Sequence, residues 1–128
     1  KNGRVYSTDI CVPISNITEC VNFAEEQAEK FGLRAPMVGH LGDGNFHVIL
    51  PYDPAKKEMY ERIREFNDLL IKKGLELNGT ITGEHGVGLH KKKYLLEQHA
   101  DNMPVMKSIK RTLDSNNIMN PGKIFDLN

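Results

Sequence analysis

Apolar residues recur at helical intervals in two long stretches of the chain. Ile17, Cys20, Val21, Ala24, Ala28 and Phe31 form one stripe, with Asn16 and Glu19 at capping-box spacing before it and Gly32 after it. Met59, Ile63, Phe66 and Leu70 form a second, opened by Asp53-Pro54 and stopped after about Leu77 by Asn78-Gly79. Between them, residues 37–50 form an apolar-rich stretch broken in the middle by Gly42-Asp43-Gly44-Asn45, which reads as a hairpin turn. Residues 8–14, apolar-rich with Pro13 near their end, suit a strand near a sheet edge. Two shorter helical pieces, about 90–98 and 104–113, lead to a turn at Asn120-Pro121-Gly122. Strand, helix, hairpin, helix describes an antiparallel sheet with helices packed on it, an α+β architecture.

Composition narrows the class. At 128 residues and 14.5 kDa, with no repeat or linker, the chain is one unit: a single domain or part of a larger one. Lys plus Arg and Asp plus Glu are each 17, so the formal charge is zero and neither nucleic acid nor an anionic membrane is the expected partner. No apolar run is long enough to span a bilayer. Two cysteines, Cys11 and Cys20, suit a reduced, cytoplasmic setting better than a disulfide framework, and neither has a basic or histidine neighbour in sequence. The chain starts at Lys1 with no signal segment, which leads us to expect a piece of a longer protein.

The chemistry gathers in two places. With Asp43-Gly44 as a two-residue turn, Gly42 pairs with Asn45, Leu41 with Phe46 and His40 with His47. The histidines then oppose each other on one face, with Cβ atoms roughly 4.5–5.5 Å apart and both imidazoles in reach of one metal ion. The other face carries Met37, Leu41, Phe46, Val48 and Leu50 and packs on helices. The blander alternative is a histidine pair that only hydrogen-bonds in a semi-polar interior. The second place is Thr82-Gly83-Glu84-His85-Gly86-Val87-Gly88. It is neither a dinucleotide fingerprint nor a phosphate loop, and by itself it could be a solvated turn. Beside the hairpin it offers a third ligand, Glu84. Two histidines and a carboxylate leave positions open on a divalent ion, with zinc expected ahead of manganese or iron. Side chains of adjacent residues diverge, so His85 is better placed as an acid/base group than as a fourth ligand. Asp43 reads as turn chemistry, and the run Lys91-Lys92-Lys93 as a solvated helix face.

With these residues in view, the chain resembles the C-terminal cap domain of FAD-linked oxidases, in the branch of D-lactate dehydrogenase and glycolate oxidase. The matching segments are Ser7-Thr8-Asp9-Ile10-Cys11-Val12-Pro13, residues 39–47, residues 79–88 and Asn120-Pro121-Gly122-Lys123. The resemblance implies a ferredoxin-like core over a separate N-terminal flavin domain that is missing from residues 1–128. It implies His40, His47 and Glu84 as metal ligands, His85 as the active-site histidine, and Asn120 near the flavin. It also implies oxidation of a D-2-hydroxy acid, with hydride passing to FAD. Relatives that oxidise 2-hydroxyglutarate have an asparagine where this chain has Ile49, and a lysine where it has Ser7. Both changes remove polar groups for a second carboxylate, so a small acid such as D-lactate or glycolate is expected. The isolated fragment is expected to be inactive. Two other classes compete: a stand-alone metal hydrolase, and a non-catalytic assembly module whose exposed sheet edge favours homo-oligomers. Membrane association is expected only through partners.

Overall fold

The structure is a computed structural model that describes residues 3–127 and divides into two compact units, Lys1–Glu84 and His85–Asn128. The first holds strands β1 (Arg4–Ser7), β2 (Ile10–Cys11), β3 (Met37–His40) and β4 (Asn45–Tyr52), with helices α1 (Ile17–Lys30) and α2 (Lys57–Glu76). The second holds α3 (Lys92–His99) and α4 (Met103–Leu113).

Strand β4 is the centre of an antiparallel sheet. Along one edge runs β3, and along the other β1 and β2. The register Arg4↔Tyr52 to Ser7↔Ile49 continues unbroken as Ile10↔Phe46 and Cys11↔Asn45. Thr8 therefore stands opposite Val48 and Asp9 opposite His47, and β1 and β2 are one strand interrupted at two polar residues. Alternation along β4 turns Phe46, Val48 and Leu50 to the helices, each no more than 1% exposed. They meet Cys20, Ala24 and Ala28 of α1 and Ile63, Phe66 and Leu70 of α2 in the core, so the stripes read from the sequence are the buried faces.

The two helices lie antiparallel. Asn16 Nδ2 donates to the carbonyl of Leu77 at 2.9 Å, Lys73 Nζ reaches Glu19 at 2.6 Å, and Arg62 Nη1 donates to the carbonyl of Phe31 at 3.2 Å. This corrects the capping box. Asn16 is the N-cap residue, but its side chain makes no cap bond and ties α1 to the end of α2 instead.

Strand, α1, β3, β4, α2 with β4 between the other two strand lines is the first five-sixths of a ferredoxin-like βαββαβ unit. Where the last strand would run, a single bridge, Cys11↔Thr80, is made. The chain then turns away through Gly83. The strand expected over residues 8–14 is shorter than that span, Ile10–Cys11, because Pro13 opens a 3₁₀ turn at Ile14–Asn16.

In the second unit the tail folds back on the helices. Lys92 Nζ binds Asp126 at 2.6 Å and the carbonyl of Gly122 at 3.0 Å, and Ile124 N–H donates to the carbonyl of Gly88 at 2.8 Å. Asn120 takes a left-handed conformation (φ 49°), and its carbonyl accepts from Lys123 N–H at 3.2 Å, which is the turn read from the sequence.

Candidate metal centre

The hairpin register differs from the expected one. The turn is a 3₁₀ segment, Leu41–Asp43, closed by left-handed Gly44 (φ 77°), so His40 pairs with Asn45 and Val38 with His47. The two histidines are not opposite each other. The cause is long-range: the Gly44 carbonyl accepts from Val12 N–H at 3.0 Å, a tie the local Asp-Gly signal does not contain. The slip is two residues, and only an odd slip exchanges faces. His40 and His47 thus remain on one face, as diagonal neighbours, with His40 exposed and His47 7% exposed.

Continuous pairing puts Ser7, Asp9, Asn45, His47 and Ile49 on that face, away from the helices. Residues 79–84 run beside β2 and cover it. Thr80 N–H donates to the carbonyl of Cys11 at 2.7 Å. Beyond it, the buried Asp9 carboxylate accepts from Thr82 Oγ1, from Gly83 N–H at 2.9 Å and from Glu84 N–H at 3.2 Å. Gly83 is required here: a Cβ would lie 2.5 Å from Asn45 Oδ1. Asp9 thereby holds the loop that delivers Glu84, whose Oε1 lies 2.8 Å from His47 Nε2. The other ring nitrogen, Nδ1, lies 2.9 Å from the carbonyl of Thr8 and 3.8 Å from Asp9 Oδ1. A carbonyl only accepts, so Nδ1 carries a proton and Nε2 is the nitrogen offered to Glu84.

Of the residues singled out in the sequence, His47 and Glu84 are therefore brought together. His40 shares their face. His85 follows Glu84 directly, is exposed, and begins the second unit. Asn120 lies in the second unit's tail. A nitrogen and a carboxylate oxygen, the donor types a divalent cation takes, converge where His47 meets Glu84, and Asp9 brings a further carboxylate oxygen within 4.8 Å of a His47 ring nitrogen; His40 shares the face but is not among the donors that lie this close. Asn45 Oδ1 adds an unmet acceptor, buried without a hydrogen-bond partner among the described residues. Sequence reasoning passed over Thr8, Asp9, Asn45 and Thr82. The one local signal was a Thr-Asp pair inside an otherwise apolar strand.

The cysteines are free. Burial pushes the Cys20 thiol up to about 11, and burial with the charges of Asp9 and Asp43 raises that of Cys11.

Relatives include a protein named probable D-lactate dehydrogenase, mitochondrial, from Danio rerio, 39% identical over 97% of this chain and 25% of the relative. A D-lactate dehydrogenase [cytochrome], mitochondrial, from Arabidopsis thaliana is 41% identical over 92% of this chain and 21% of the relative. A glycolate oxidase subunit from Bacillus subtilis is 39% identical over 91% and 25%. The chain thus spans about a quarter of these relatives' length. Among solved structures, 4-ethylphenol oxidase from Gulosibacter chungangensis in an isoeugenol complex matches 97% of this chain and 25% of its own, with TM-score 0.66 and 20% identity, which supports the fold alone. The family model described as FAD linked oxidases, C-terminal domain, matches residues 1–124, and the chain belongs to that family.

Proposed function

We propose that the chain is the metal-bearing catalytic cap of a flavin-dependent dehydrogenase that oxidises a small D-2-hydroxy acid, of D-lactate or glycolate type, to the 2-oxo acid. The observation that carries this reading is the meeting of His47 Nε2 and Glu84 Oε1 at 2.8 Å, with Nδ1 held by the Thr8 carbonyl. The relatives named for D-lactate dehydrogenase and glycolate oxidase support the substrate class.

His40, His47 and Glu84 would hold the ion: zinc, with manganese and iron as alternatives. When bound, the cation supplies Lewis-acid polarisation of the substrate hydroxyl, and FAD, held mainly by a separate N-terminal domain, supplies the hydride acceptor. His85 is assigned to take the hydroxyl proton, and Asn120 to approach the flavin. Ser7 and Ile49 bear on substrate size. They are direct register partners, on the face that carries His47, so the two positions expected to lack carboxylate-holding groups form one patch. Neither side chain carries a charge that would hold a second carboxylate. Family membership does not favour a stand-alone hydrolase. For cellular setting, the zebrafish and Arabidopsis relatives are named mitochondrial, so a reduced intracellular compartment is proposed without preference for the cytoplasm.

The test uses the complete flavoprotein that carries this domain. D-Lactate or glycolate should bleach the flavin under anaerobic conditions. His85→Ala should keep the metal and lose the bleaching, and His47→Ala should lose both while FAD stays bound. Normal bleaching in a folded His47→Ala protein would overturn the assignment.

A further inference from the structure

Residues 8 and 48 face each other at a position where an antiparallel ladder exchanges two N–H···O bonds. One is made: Thr8 N–H donates to the carbonyl of Val48 at 3.1 Å. The return bond is not backbone to backbone. Val48 N–H donates to the Thr8 hydroxyl Oγ1 at 2.9 Å. The displaced acceptor, the Thr8 carbonyl, instead receives His47 Nδ1–H at 2.9 Å and the Ser7 hydroxyl at 3.2 Å, which use its two lone pairs. All of these groups lie in the first unit.

We propose that Thr8 is the positioning residue for His47. Its hydroxyl takes over a ladder bond so that its carbonyl can fix the imidazole with Nε2 toward Glu84. Only a side chain with an acceptor at the γ position can do this. Without it, the buried N–H of Val48 has no partner, a state the strand relieves by turning the residue 8 carbonyl back into the ladder and away from His47. The inference rests on reading His47 as a metal ligand, and it deepens that reading. An imidazole whose far nitrogen is held by an acceptor keeps its tautomer and orientation for the ion.

The experiment compares wild type, Thr8→Val and Thr8→Ser in this chain. Valine preserves the branched shape and removes the hydroxyl, whereas serine keeps the acceptor. Imidazole ¹H–¹⁵N spectra of the metal-free chain should show a His47 Nδ1–H protected from solvent exchange in wild type and Thr8→Ser. That proton should exchange rapidly in Thr8→Val. Zinc affinity, measured by competition with a chromophoric chelator, should fall about 10- to 100-fold in Thr8→Val and stay close to wild type in Thr8→Ser. An unprotected Nδ1–H in wild type overturns the assignment even if the valine variant fails to fold. So does a folded Thr8→Val protein with the proton still protected and zinc binding unchanged. Because the proton is observed without metal, absence of zinc binding in wild type would overturn the metal reading and leave the Thr8 contact to be judged separately.

Discussion

His47 is held from both sides, because its ring nitrogens face groups fixed by the chain, one a carbonyl and one a carboxylate. Glu84 is in turn fixed by Asp9, and the close approach of that loop depends on glycine at 83. Gly83→Ala should displace the loop and weaken zinc binding at least about tenfold, with little change in melting temperature, measured by chelator competition and calorimetry. The residues proposed as ligands stand out in the sequence, since histidine and glutamate among glycines are chemically conspicuous. Their supports do not: Asp9 acts across 74 positions to Gly83 and Thr8 across 39 to His47, and no local pattern encodes such pairs. With its thiol near 11, Cys20 at pH 8 is ionised in about one molecule in a thousand, so iodoacetamide should leave it unlabelled until the protein is denatured. Rapid native labelling of Cys20 would contradict its burial.

The stripes of α1 and α2 were visible because helical periodicity is a local property, and the packed faces match them. The hairpin was visible too, but its register was set by β2 and Gly44, so the pairing of His40 with His47 gave way to His40 with Asn45. What persisted was the face, because strand alternation survives a two-residue slip. At Gly39 a Cβ would lie 2.5 Å from the Asn45 carbonyl oxygen and from Phe46 Cα, both backbone atoms of the partner strand. Gly39→Ala should therefore force β3 from β4 and destabilise the first unit by roughly 1–3 kcal/mol in urea unfolding. In the second unit, Asp114 closes α4. Its hydrogen bond from Lys110, aided by those from the N–H groups of Ile118 and Met119, holds its carboxyl below the usual range. The resulting stabilisation is complete above the unfolded value of about 3.9 and is lost as pH falls through the lower folded value. Helical signal in wild type should fall more steeply below about pH 4 than in Asp114→Asn, which has no such proton to bind.

For the molecule as a whole, the same economy that shortens the sheet supplies the site. The sixth element of the ferredoxin-like unit is reduced to the Thr80 bridge, and the released chain becomes the loop that brings Glu84 to His47. Balanced charge is compatible with the proposed partners, a small acid and a separate flavin domain, neither of which is a polyanion. No helix among the described residues is long and apolar enough to cross a membrane. At this scale the proposed function requires the chain to hold a cation with its own side chains. The direct test is metal content by mass spectrometry on the chain purified without chelator or metal-binding tag, beside Glu84→Gln. About one divalent ion per wild-type chain, lost from a folded variant, is the expected result. Wild-type chain that stays metal-free when zinc, manganese or iron is supplied, or a folded variant that retains its ion in full, would contradict it.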